Sequence, residues 1–294
     1  MRDIYQDVTD RIVAALEAGI VPWVKPWKDN ASGSITEPHN AVTGRRYNGI
    51  NWLVLSSMPY ASTGWLTFNQ AKKLGGNVKR GEKGTQIVFW DFSRKQRDEK
   101  TGELKVIPFA KAYTVFNLDQ CENLPLAKIK APTPVTIGSG DMNVIAATHN
   151  VNLQHGGNRA FFSPAFDQVQ MPSADSFKSA DHYQSTLAHE LTHWTGHDSR
   201  LKRDFSKGRF GDAAYAFEEL VAEIGSAFLC ARAGIKLEGL QHADYVGNWL
   251  QVLKNDKRAI FTAASKAKQA AEYLLPSEEN TDSQEDAEPV ALAA

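Results

Sequence analysis

Cysteine is almost missing from this chain. Cys121 and Cys230 are the only two in 294 residues, one in each half, which excludes a disulfide framework and points to a reducing compartment. Long apolar runs are lacking too. No stretch approaches the ~20 residues that cross a bilayer, so no membrane partner is expected. The opening MRDIYQDVTD has neither the basic nor the apolar region of a secretory signal, and the cytoplasm is the expected location. No internal repeat is visible. What is present, 42% hydrophobic and 23% charged residues, is a globular composition, and the length allows two separate cores.

The net charge of -1 conceals a split. Residues 1–130 hold 19 basic and 13 acidic side chains, whereas residues 131–294 hold 14 and 21. Such asymmetry joins a polyanion-binding module to a domain with another task. The sign changes across Lys130-Ala-Pro-Thr-Pro134, a proline-bearing segment without apolar periodicity that reads as the linker. The expected organisation is therefore a basic domain over 1–130, a second domain over 131–275, and a tail over 276–294. That tail has six acidic and no basic or aromatic residues, and it is expected to be disordered.

The second domain centres on Thr186-Leu-Ala-His189-Glu190-Leu-Thr-His193-Trp-Thr-Gly196. Two histidines four apart on a helix project from one face, so both imidazoles can reach one divalent ion with Glu190 beside the open position. This is the His-Glu-x-x-His pattern of zinc metallopeptidases, where the metal acidifies water and the glutamate takes the proton. Leu187, Leu191 and Trp194 supply an apolar face, Asp181 is expected to cap the helix, and Gly196 to end it in a left-handed turn. A third ligand is required. Tyr215–Ala231 reads as a largely buried helix holding Glu218, Glu219 and Glu223, and charges in such a run need a partner or a metal. The pair Glu219 and Glu223 resembles the gluzincin arrangement, in which one carboxylate binds metal and the next, one turn on, orients a ligand histidine. The resemblance implies Glu219 as ligand and Glu223 as orienter, with the reverse assignment open. A metzincin pattern is excluded because Ser199 stands where its third ligand would fall. Zinc is the expected metal, another divalent ion being possible. Short strands are expected over 151–171, and Arg159–Ser163 or Gln168–Met171 could hold an extended peptide by edge pairing.

In the first half, residues 3–18 show helical spacing ended by Gly19, and a second helix is expected over Ile50–Ser57. Trp65 to Gly75 reads as a strand end, a threonine cap, a short helix and a glycine stop. Gln86–Phe92 and Lys105–Asn117 read as a hairpin with a long connection. Between Arg45 and Lys130 lie 15 basic and 7 acidic residues, interleaved with aromatics. Arg45, Arg46, Tyr47, Trp65, Lys72, Lys73, Lys79, Arg80 and Lys83 are the candidate contacts to single-stranded DNA: cations track a phosphate backbone and rings stack on bases. Trp23 and Trp27 are further candidate stacking surfaces.

Taken together, PWVKPW, TGRRYNGIN, WLTFNQAKKLGGNVKRGEKGTQIVFW and YTVFNLDQCENLP, followed by AHELTHWTGHDSRL, RFGDAAYAFEELVAEIGSAFLCA and NWLQVLKNDKRAIFTAAS, resemble the ArdC antirestriction family. Its N-terminal domain is similar to the start of plasmid TraC primases. The resemblance implies an α+β protein of two domains, one binding single-stranded DNA and one zincin-like and gluzincin-type, that protects incoming plasmid DNA during conjugation. It leaves open whether the peptidase site turns over on a restriction enzyme or another DNA-bound protein, which is the alternative function expected.

Overall fold

The computed structural model describes residues 3–23, 37–91, 95–97, 104–106, 109–132, 140–203, 213–236 and 243–276. The elements in order are α1 (Ile4–Glu17), β1 (His39–Asn40), α2 (Gly49–Ser56), β2 (Gly64–Thr67), α3 (Phe68–Leu74), β3 (Asn77–Val78), β4 (Thr85–Asp91), β5 (Lys95–Arg97), β6 (Leu104–Val106), β7 (Phe109–Asn117) and β8 (Cys121–Glu122). They continue with α4 (Met142–Thr148), β9 (Asn152–His155), β10 (Phe161–Ser163), β11 (Gln168–Met171), α5 (Ala180–Thr195), α6 (Ala213–Ala233), α7 (Ala243–Asn255) and α8 (Ala259–Leu274). Helix and strand alternate irregularly, the α+β class expected.

These elements fall into two compact units that are not the segments on either side of residue 130. A helical unit takes the described residues within 1–37, 48–57 and 132–280, and a sheet unit those within 38–47 and 58–131. The reason lies in α1 and α2. α1 is buried on one side, by Val8, Ile12 and Leu16, and α2 almost all round, Ile50, Trp52, Leu53 and Leu55 included, and both find partners among the C-terminal helices. α1 packs on α7 and α2 on α8. Trp52 meets Phe228 edge-on at 5.0 Å, and Trp23 meets Trp249 at 5.7 Å. Each such side chain, fully buried, contributes roughly 1.5–3 kcal/mol.

In the sheet unit four strands run in the order β1-β2-β7-β4, with β1 parallel to β2 and the other neighbours antiparallel. β5 and β6 form a hairpin within the β4–β7 connection, so the span from Lys105 to Asn117 is divided between two strands. α3 is framed as its sequence dictates. Thr67 caps it with a reciprocal Gln70 bond, and Gly75 closes it at φ 94°, a conformation that favours glycine. The buried core beneath holds Ala41, Leu66, Ala71 and Cys121.

In the helical unit α6 is the central element, packed by α5, α7 and α8. It is apolar all round from Leu220 to Ala231 apart from Glu223 and Ser226, which are buried with it. Gly225 is what lets α5 approach. A Cβ there would stand 2.5 Å from Thr192 Cγ2, closer than packing allows. A three-stranded sheet, in the order β10-β11-β9, lies against α5 through β10 and β11. The strand Gln168–Met171 is thus the middle one and offers no edge to a peptide, leaving β10 as the candidate edge. Two further expectations change. Ser179, not Asp181, caps α5, accepting from the His182 N–H at 3.0 Å. Gly196 is right-handed at φ -77°, because the chain turns on tightly and folds back instead of reversing. The tail beyond Pro276, Trp27 and the last two residues of the proposed linker, Thr133 and Pro134, lie outside the described residues.

Candidate metal centre

The period of α5 separates two jobs. Leu187, Leu191 and Trp194 face the core, while His189 and His193, one turn apart, project towards α6. Their Nε2 atoms lie 3.1 Å apart. Glu219 supplies the third donor: its Oε2 is 3.5 Å from His189 Nε2 and its Oε1 is 3.5 Å from His193 Nε2. One ligand atom from each residue falls within 4.8 Å of the others, a spacing that could hold one metal ion. The donor set of two imidazoles and one carboxylate suits zinc and other borderline divalent ions.

Behind each imidazole stands a carboxylate. Glu223, fully buried, has Oε1 3.5 Å from His189 Nδ1. Glu218 Oε1 lies 3.3 Å from His193 Nδ1. Glu219 thus faces both Nε2 atoms and Glu223 faces the far side of one ring, the arrangement in which a ligand and an orienter divide the work. The role of Glu218 was not anticipated from sequence. Its signal was a third charge in an apolar helix, and its second partner, Arg203, comes from the segment after α5.

The electrostatics follow from crowding without water. Burial opposes a charged ring at His193, but hydrogen bonds to Glu218 and Glu219 outweigh it and raise its pKa to about 10. Burial acts the same way on His189, again outweighed, chiefly by Glu219. Glu219 is driven far below the usual carboxylate range by the two histidines despite its burial. Glu218 is lowered by His193 and Arg203 against the burial that raises it. Glu190 behaves oppositely. It is 7% exposed, and burial raises its pKa, only partly offset by the histidines and by a hydrogen bond from the Phe162 backbone. That bond ties the candidate base to β10. Tyr215, one turn before Glu219, stays a protonated phenol: burial raises its pKa, as do its hydrogen bonds to Tyr245 and Glu219.

The candidate DNA contacts all lie in the sheet unit. Lys72 and Lys73 are exposed on the last turn of α3, with Lys72 Nζ 4.8 Å from the Phe68 ring centroid. Lys79, Arg80 and Lys83 are exposed on the turn after β3, which packs against α3, and Lys79 Nζ donates to the Asp119 carbonyl at 2.8 Å. Arg45, Arg46 and Tyr47 are half-buried beside β1. Trp65 departs from expectation. It is 1% exposed in β2 and meets Tyr60 edge-on at 5.5 Å, so its faces belong to the core and not to a base. Trp23, at 1%, is core for the same reason.

Fold and site together define a two-domain protein with a zincin-like metal centre. Residues 141–266 match the zincin-like metallopeptidase family, and residues 2–116 match the N-terminal domain of the anti-restriction factor ArdC. The crystal structure of the ArdC protein from the R388 plasmid, metal-free, superposes with a TM-score of 0.76 at 44% identity, covering 93% of this chain and 97% of that one. Its Mn(II)-bound form gives 0.75 at 41% identity and the same coverage. The uncharacterized protein y4eC of Sinorhizobium fredii is 38% identical over 92% of this chain and 91% of its own. A DNA primase TraC of Escherichia coli is 39% identical over 95% of this chain, yet the match spans 27% of the primase. The chain belongs to the ArdC antirestriction family.

Proposed function

We propose that this chain is an antirestriction protein whose sheet unit binds single-stranded DNA and whose helical unit is a zinc peptidase acting on protein bound to that DNA. The observation that carries the peptidase reading is the convergence of His189, His193 and Glu219 with Glu190 buried alongside. A zinc ion held there supplies Lewis acidity, acidifying water and polarising a peptide carbonyl. The chain's own groups do the remaining work. A carboxylate oxygen of Glu190 receives the proton of the attacking water and returns it to the leaving amine, and its raised pKa brings it nearer the working range of a general base. The Phe162 N–H holds that carboxylate in place. β10 is an outer strand of its sheet, along which an extended polypeptide can align.

A second reading keeps the DNA binding and makes the protection purely steric, which the exposed cations Lys72, Lys73, Lys79, Arg80 and Lys83 favour. Glu190→Gln separates the two. If hydrolysis protects, the variant keeps its fold, metal and DNA affinity but loses both proteolysis and protection of transferred DNA. If coating protects, protection survives unchanged in the variant.

A further inference from the structure

Arg203 is a cation buried to 4% exposure, and the residues it touches belong to the metal centre's supports. After α5 the chain folds back on itself: the Leu201 N–H donates to the Thr195 carbonyl at 3.0 Å and the Arg203 N–H to the Gly196 carbonyl at 2.8 Å. The return carries the guanidinium to the end of α5. There Nη1 donates to Thr195 Oγ1 at 2.9 Å and Nη2 to the Thr192 carbonyl at 2.5 Å. The other side of the fork grips Glu218. Nε is 3.1 Å from each carboxylate oxygen, and Nη2 is 3.0 Å from Oε1. Glu218 Oε1 in turn faces His193 Nδ1 at 3.3 Å.

We propose that Arg203 is a positioning residue of the metal centre, acting through Glu218 to keep His193 turned so that Nε2 presents its lone pair to the ion. The inference rests on the reading of His189, His193 and Glu219 as a divalent-ion site. A planar fork that binds a carboxylate through two nitrogens fixes its rotation as well as its charge, which an isolated glutamate on a helix would not achieve. Held so, Glu218 Oε1, which accepts from Nε and Nη2, also stays within reach of Nδ1–H, which sets the tautomer of the ring. Without the fork, the carboxylate is free to rotate away and the ring with it. Because the same guanidinium bonds also pin residues 196–203 to α5, occupancy of the centre and closure of this return segment stabilise each other. Linkage makes the effect reciprocal.

The test is Mn(II) affinity of the full chain, by competition with a fluorescent chelator, for wild type, Arg203→Met, Arg203→Lys, Glu218→Gln and the Arg203→Met/Glu218→Gln double variant. Circular dichroism in EDTA establishes that each is folded. Arg203→Met and Glu218→Gln are each expected to weaken Mn(II) binding about 10–100-fold. The double variant is expected to be no weaker than the worse single one, since both cut one relay. Arg203→Lys, which keeps the charge and loses the fork, should fall between. Trypsin cleavage after the exposed Lys202 gives the reciprocal readout: Mn(II) should slow it in wild type and much less in Glu218→Gln. Wild-type affinity in the folded single variants, or effects that simply add, would overturn the relay. Should Arg203→Met not fold, Glu218→Gln carries the test alone, as it preserves the volume of the side chain. A wild-type protein that binds no Mn(II) overturns the divalent-site reading itself, and is thereby distinguished from failure of the relay.

Discussion

The Nε2 atoms of His189 and His193 face each other at 3.1 Å, with Glu219 oxygens 3.5 Å from each. Two lone pairs aimed at one another over that distance repel, so a hydrogen on one nitrogen or a divalent ion between them is needed, and binding the ion displaces that hydrogen.

Metal binding is therefore expected to release protons and to strengthen with pH. His193 has a pKa raised to about 10, so in the metal-free protein its ion pairs with Glu218 and Glu219 stabilise the fold fully below the ordinary histidine range and fade as pH climbs towards 10. Protons compete with metal across that window. Apparent Mn(II) affinity should rise steadily from about pH 6 to about pH 9. A flat profile by isothermal titration calorimetry would contradict the proton-for-metal exchange.

Glu219→Gln and Glu223→Gln should differ in kind. Losing the carboxylate that faces both Nε2 atoms is expected to abolish measurable metal binding. Losing the one behind His189 should cost about 10–100-fold. Equal losses, or the reverse order, would exchange the two roles.

Gly225→Ala tests how closely α5 and α6 approach. The added methyl meets Thr192 Cγ2 at 2.5 Å and must push the helices apart, at an expected cost of about 1–3 kcal/mol. The same shift moves His189 and His193 away from Glu219. Denaturant melts should show the destabilisation and metal titrations a weaker site, whereas a variant as stable as wild type would show that the contact can relax locally.

Reversing Lys79, Arg80 and Lys83 to glutamate should weaken single-strand binding and flatten its dependence on salt. Each lost phosphate contact lowers the slope of log affinity against log salt by about 0.7, so the triple variant should lose about 2. An unchanged slope would take this turn out of the interface.

Trp65→Phe should leave single-strand affinity within about twofold while lowering the melting temperature, because the ring is core. A large affinity loss in a stably folded variant would return Trp65 to the DNA surface.

The metal helix, its buried partner and the capped α3 were legible in the sequence because local patterns fix them: spacing of one turn, an apolar run with glutamates, Thr67 and Gly75 at the two ends. Trp65 was misread because an aromatic among lysines has the same composition whether its strand turns it inwards or outwards. Arg203 was silent for a different reason, and Glu218 showed only that it needed a partner. Their pairing depends on a return turn after α5 whose geometry no periodicity encodes. The grouping of α1 and α2 with distant helices was equally hidden, since an apolar face states that a helix needs a partner without naming which.

Because α2 lies between two stretches of the sheet unit yet completes the helical one, the two halves of this protein are sewn together along the chain. A gene cut after residue 130 would leave the helical unit without Ile12, Leu16, Trp52 and Leu53, and α7 and α8 without the helices that cover them. The two units are then inherited as a single block, and recombination that swaps either half by simple crossover would spoil both.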